Sequence, residues 1–160
     1  MLTTTHRPYR GTDLIRRSTR GVVLAAIFTG CGAEPSNTTF GAALAQNSCG
    51  PADGPAVEIQ LALAPATELS ARPSLQVMIY RARADAAGRS WQINTSFDSA
   101  AGSFCPATGD CESATSGTVR LDPTTSVNAV SGTVEARFPI KGIVRGRFQA
   151  EWRERNILCG

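Results

Sequence analysis

Short runs in which apolar and polar residues alternate constrain the fold of this chain more than any other feature. The clearest run is VEIQLAL at residues 57–63, where every second residue is a large aliphatic one. A period of two is typical of a β-strand with one face in a core and the other in solvent. The same period recurs in further runs, at residues 75–79, 91–97, 118–121, 130–138 and 143–152.

Turn-forming residues separate these runs. Pro65, Asp122-Pro123 and Pro139 each begin within two residues of the end of one run, and proline cannot donate a hydrogen bond within a strand ladder. Only residues 82–87 hint at a helix. About six or seven short strands without a 3.6-residue period indicate a sandwich or a small barrel. The sequence therefore predicts an all-β fold, an antiparallel β-sandwich, with a small β-barrel as the alternative.

The N-terminal region has the layout of an export signal. Arg16, Arg17 and Arg20 precede an apolar run that extends only from Val22 to Phe28. A helix that crosses a bilayer needs about 20 apolar residues, whereas a cleaved signal peptide needs far fewer. Residues 1–30 are therefore predicted to be a signal peptide. The alternative is a buried apolar segment followed by an incidental cysteine.

The end of that run is Phe28-Thr29-Gly30-Cys31-Gly32, which resembles the lipobox of bacterial lipoproteins. The resemblance implies cleavage before Cys31, attachment of lipid to its thiol, and three acyl chains, which together anchor a protein stably. Gly32, in place of an aspartate, implies an outer-membrane location. The arginine pair also resembles a twin-arginine signal, so the export route stays open between that pathway and the general secretory one.

Composition divides the remaining chain into a tether and one domain. Residues 31–48 are mostly small and polar, which is typical of a flexible tether. Residues 49–160 carry the alternating runs and suffice for one folded domain. Of the 16 basic and 13 acidic residues, the leader holds five and one, which leaves 11 basic and 12 acidic residues and a net charge of −1. Bulk charge thus gives no support for a nucleic-acid partner.

The cysteines form an even set once Cys31 carries lipid. Cys49, Cys105, Cys111 and Cys159 remain, and in an exported chain four cysteines allow three patterns of two disulfides. We favour Cys105–Cys111, which closes a turn-rich loop, and Cys49–Cys159, which joins the ends of the domain. Zinc sites use closer cysteine pairs or histidine ligands, so we expect no metal.

Catalysis has little support in the sequence. The only histidine is His6, in the leader, and histidine is the most frequent general base. We therefore expect a protein that is not an enzyme and needs no cofactor. One alternative is a hydrolase that uses the carboxylates of Asp110 and Glu112. Another is a small-ligand carrier with its pocket inside a barrel.

A partner-binding surface is the leading functional hypothesis. Lys141, Arg145 and Arg147 lie on and near the last strands, where they would suit an envelope protein or a polysaccharide. Trp91 and Trp152 fall in register with aliphatic positions, so we expect them to pack in the core rather than to bind sugars. The prediction is an envelope lipoprotein that is held at the membrane by Cys31 and acts as a binding or structural module.

Overall fold

The structure is a computed structural model that describes residues 37–96, 99–124 and 126–160. These residues contain nine strands, one helical turn, α1 (Arg83–Ala86), and a 3-10 turn at Pro51–Asp53. The strands are β1 (Phe40–Cys49), β2 (Pro55–Leu63), β3 (Ser74–Ile79), β4 (Ser90–Ile93), β5 (Ala100–Cys105), β6 (Glu112–Ser113), β7 (Ser116–Leu121), β8 (Ala129–Phe138) and β9 (Gly142–Arg153).

Eight of the strands close into a barrel in the order β1-β2-β3-β5-β4-β7-β8-β9, and β6 pairs with β5. The all-β prediction is confirmed, and the architecture is the alternative, a small barrel, rather than the preferred sandwich. Two contacts produce the closure: β3 pairs with β5, and β9 returns to pair with β1. Closure leaves these strands without open edges. The β1–β9 and β4–β5 pairs are parallel, so the sheet is not wholly antiparallel.

Apolar side chains fill the barrel interior. The residues with alternating spacing on each long strand point inward and form one buried cluster, as expected for a barrel of eight strands. Phe104 and Phe138 meet there with ring centroids 5.6 Å apart. The largest fully buried side chains are Ile59, Leu61, Leu75, Ile79, Ile93 and Leu121.

The predicted tether is wrong over the second half of its length, because strand β1 occupies that segment. The predicted tether includes residues 40–48, yet this segment pairs with β2 along its length, and its residues 44–46 also pair with β9. The strand shows no clear alternation because it presents small Ala45 to the core, while its outward Leu44 and Gln46 are also buried. The barrel therefore begins at Phe40, and residues 31–36 lie outside the described part of the chain.

Helix α1 occupies the stretch in which the sequence hinted at a helix. It follows β3, and its Ala86 is fully buried in the core cluster. In the described ranges, no helix has the length and apolar character required to cross a membrane.

Candidate binding groove

A broad groove crosses the outer face of the barrel. Its floor consists of outward-facing side chains of β7, β8 and β9, and its edges are Ser90 and residues 37–40. It has an open volume of about 850 Å³. Ten of the thirteen lining residues carry a hydroxyl, amide or charged group: Asn37, Thr38, Thr39, Ser90, Thr118, Arg120, Thr133, Glu135, Arg145 and Arg147.

The edge formed by residues 37–40 is attached directly to β9. The backbone N–H of Thr38 donates to the carbonyl oxygen of Arg145 at 2.6 Å. Gly146 makes this approach possible, since a Cβ atom there would lie 2.7 Å from a ring carbon of Phe40 and would also contact the Thr38 carbonyl oxygen. The absence of a side chain at Gly146 thus allows the edge to lie against the strand.

Strand register arranges the polar side chains of the floor in rows. Arg120 on β7 is opposite Thr133 on β8, and Thr133 is opposite Arg147 on β9. The next row is Thr118, Glu135 and Arg145. Each row therefore crosses three strands and includes at least one arginine.

The arginines of the groove differ in their partners. Arg145 Nε lies 2.7 Å from Glu135 Oε2, directly across the strand pair. Arg147 Nη2 lies 2.7 Å from Asp122 Oδ2. Arg120, which is exposed, pairs with no carboxylate of the described residues. The lining contains three arginines and one glutamate, so the groove is positive although the predicted mature chain is slightly acidic.

We compared the chain with protein-family models, with curated protein sequences and with solved structures, and none of them matches it.

The structure places two of the three residues of the predicted partner surface in the groove. Arg145 and Arg147 share the groove, whereas Lys141 lies in the turn between β8 and β9, with its Nζ 5.5 Å from the ring centroid of Phe104. Sequence reasoning missed Arg120. The signal was present, since Arg120 occupies a polar position between core residues Val119 and Leu121, but only the register brings it near the other arginines.

Both favoured disulfides are present. Cys49 is bonded to Cys159, with their Cα atoms 5.6 Å apart, and Cys105 is bonded to Cys111. The first bond attaches the C-terminal segment to the end of β1. Asn47 strengthens this attachment, because its Oδ1 accepts a hydrogen bond from the backbone N–H of Arg155 at 2.6 Å. Cys31, the predicted lipidation site, lies outside the described residues.

Asp110 and Glu112, the two carboxylates of the alternative hydrolase, lie in different environments. Both oxygens of Glu112 accept backbone hydrogen bonds, from Ile140 N–H at 2.8 Å and from Lys141 N–H at 2.9 Å. Glu112 thus holds the β8–β9 turn, while Asp110 is exposed. Across the ranges that the structure describes, no three histidine, cysteine or acidic side chains are grouped as metal ligands.

Both tryptophans pack against the core, as expected from their register. The indole N–H of Trp91 donates to the Ala86 carbonyl oxygen at 3.2 Å. The Trp152 ring lies under the guanidinium of Arg83, with 4.3 Å between the guanidinium carbon and the ring centroid. Neither residue lines the groove.

A second polar cluster lies on the outer face of β1, β2 and β3. Glu58 is 8 % exposed, and its carboxylate accepts hydrogen bonds from the side-chain amides of Gln46, Gln60 and Gln76. Burial alone would raise the pKa of Glu58, but these hydrogen bonds and the charge of Arg155 outweigh it, so the pKa lies below its ordinary value. The cluster therefore stabilises an ionised carboxylate.

Proposed function

We propose that this chain is a non-enzymatic lipoprotein of the bacterial outer membrane, anchored by lipid on Cys31, and that its barrel is a rigid binding module. The groove over β7, β8 and β9 is the binding surface, and an envelope protein or a polysaccharide is the partner. Two features support export: the lipobox-like sequence around Cys31 and the two disulfides, which persist in oxidising compartments.

One observation carries the binding proposal. The barrel interior is filled by the core side chains, whereas the groove outside is open and lined by charged and hydroxyl groups. A small-ligand carrier would need an interior pocket, which a filled interior does not favour. The floor of the groove lies on strands, which hold side chains in position more precisely than loops do.

The position of the proposed lipid anchor, Cys31, favours a partner close to the membrane. The chain from Cys31 to Asn37 contains six Cα–Cα steps, which reach at most about 22 Å when fully extended. Because residues 37–40 form one edge of the groove, lipid on Cys31 would keep that edge near the membrane surface. A partner in the same envelope layer would then be within reach.

Two measurements test this proposal in the native host. The mass of the membrane-derived protein should match residues 31–160 plus acyl chains, with both disulfides present. A photoreactive side chain introduced at Thr133, in the groove, should crosslink an envelope protein or a polysaccharide in living cells.

A photoreactive side chain at Met78 provides the matched control. Met78 lies on the outward face of β3, and β3 is directly opposite β8 in the strand order of the barrel. It should give no specific crosslink. Equal crosslinking from Thr133 and Met78, or none from a correctly processed protein, would contradict the proposed use of the groove.

A further inference from the structure

We propose that the groove binds an acidic polysaccharide, with one carboxylate of the sugar chain held over Thr133 between the guanidinium groups of Arg120 and Arg147. This inference rests on the proposed function of the groove. It adds the chemical class of the ligand and names the residues that select it.

The row of Arg120, Thr133 and Arg147 is the basis of the inference. These residues are register partners on three adjacent strands. Neighbouring strands lie about 4.8 Å apart, so the two arginine backbones are separated by about 10 Å with the threonine between them. The Thr133 hydroxyl lies between the two arginines and can donate a hydrogen bond to an anion. A carboxylate over Thr133 would contact both guanidinium groups and the hydroxyl.

Both arginines have donors available for such an anion. Arg120 pairs with no carboxylate in the described ranges. Arg147 gives one nitrogen to Asp122, but its side chain is still 70 % exposed. A guanidinium has five N–H donors in a planar fork that fits a carboxylate, so Arg147 keeps free donors after it forms one ion pair.

Arg145 has a different part in the groove. Its partner Glu135 lies across the strand pair at 2.7 Å, in the row beside the proposed site. That carboxylate already neutralises Arg145 and adds a negative charge next to the anion position. Asp122 offsets the charge of Arg147 in the same way, at the same 2.7 Å. The uncompensated positive charge of the groove therefore lies on Arg120, and the anion position is defined by Arg120 together with the donors that Arg147 has left.

The rest of the lining favours a sugar chain over an acidic protein segment. Hydroxyl and amide groups both donate and accept hydrogen bonds, as the hydroxyls of a polysaccharide require. They come from Asn37, Thr38, Thr39, Ser90, Thr118 and Thr133. The core of a protein–protein interface is instead rich in aromatic anchors, and the groove lining includes one aromatic residue, Phe40.

Binding of oligogalacturonate to the purified full-length exported chain in detergent tests the inference. Fully methyl-esterified oligogalacturonate is the matched ligand, because it keeps the sugar backbone and removes the carboxylate charge. We expect the acid form to bind at least tenfold more tightly, and added salt to weaken that binding.

Arg120→Gln and Arg153→Gln form a matched pair of variants. Both remove one exposed arginine, but Arg153 lies outside the groove lining, six residues along β9 from Arg147. Loss of a charge-assisted, two-point contact should weaken binding of the acid form by roughly 10-fold to 100-fold for Arg120→Gln. Arg153→Gln should stay within about twofold of the wild type, since its charge is distant and screened. Arg120→Lys should bind with intermediate affinity, because lysine keeps the charge without the planar fork.

Three outcomes would overturn the inference. Equal losses for Arg120→Gln and Arg153→Gln would show attraction by overall charge. Equal affinity for the acid and its methyl ester would exclude the carboxylate contact. Arg120-dependent binding of polyglutamate, without binding of oligogalacturonate, would assign the groove to an acidic protein segment. In that last case crosslinking from Thr133 would still support the groove as the binding surface, so the two proposals fail separately.

Discussion

Removal of the Cys49–Cys159 disulfide should cost this protein far more stability than removal of the Cys105–Cys111 disulfide. The two bonds join residues 110 and 6 positions apart. In the chain-entropy model a crosslink stabilises the native state by restricting the unfolded chain, with an effect that grows with the logarithm of loop length. The expected contributions are about 4.8 kcal/mol for the long loop and about 2.2 kcal/mol for the short loop.

Urea unfolding of the full chain, followed by circular dichroism without reductant, measures this difference. We expect the Cys49→Ala/Cys159→Ala variant to lose about twice as much free energy of unfolding as Cys105→Ala/Cys111→Ala. The denaturant slope should also rise more for the first variant, because its unfolded chain becomes more expanded.

The denaturant slope distinguishes between two explanations for the stability that the Cys49–Cys159 disulfide contributes. If Cys49–Cys159 acted only by holding the C-terminal segment in the native state, the slope would not change. An unchanged slope together with a loss no larger than that of the short bond would refute the chain-entropy argument.

Two further predictions concern glycine packing and acid stability. Gly146→Ala should destabilise the barrel by about 1–3 kcal/mol, because its methyl group would collide with Phe40, and thermal unfolding should show this loss. Gly54→Ala should show no such loss, since a Cβ atom there would make only an ordinary contact, 4.0 Å from the Pro51 carbonyl oxygen. Because the amide hydrogen bonds of the folded state lower the pKa of Glu58 from its ordinary value, the stabilising contribution of Glu58 is complete at neutral pH and is lost as the pH falls through the folded-state pKa. Urea midpoints between pH 7 and pH 3 should therefore fall less for Glu58→Gln than for the wild type, and a wild-type-like fall in this variant would contradict the assignment.

The sequence was informative where core positions carry large side chains. Strands β2 and β3 place aliphatic residues at every second position, and both lie close to the predicted bounds. Strands β1 and β5 escaped prediction because their inward positions include Ala45, Ala100 and Gly102. Small residues produce little contrast with polar neighbours, so a periodicity argument does not detect such strands.

Closure of the barrel and the composition of the groove depend on contacts between distant segments. Whether β9 pairs with β1 cannot be read from either strand alone, and this pairing distinguishes the barrel from the sandwich. The arginines of β9 were predictable as outward residues from their alternation. Arg120 and Thr133 join them only through the registers of β7 with β8 and of β8 with β9, which no local pattern specifies.

The seam between β1 and β9 connects the stability of the barrel to its proposed function. Its parallel register includes Leu44 with Glu151, and the same offset places Thr38 against Arg145, where the groove edge is attached. Beyond the other end of the seam, the Cys49–Cys159 disulfide holds the C-terminal segment to β1. One edge of the groove thus leads into β1, and part of its floor belongs to β9. Opening of the seam would separate that edge from the arginines, so the contacts that close the barrel also maintain the shape of the groove.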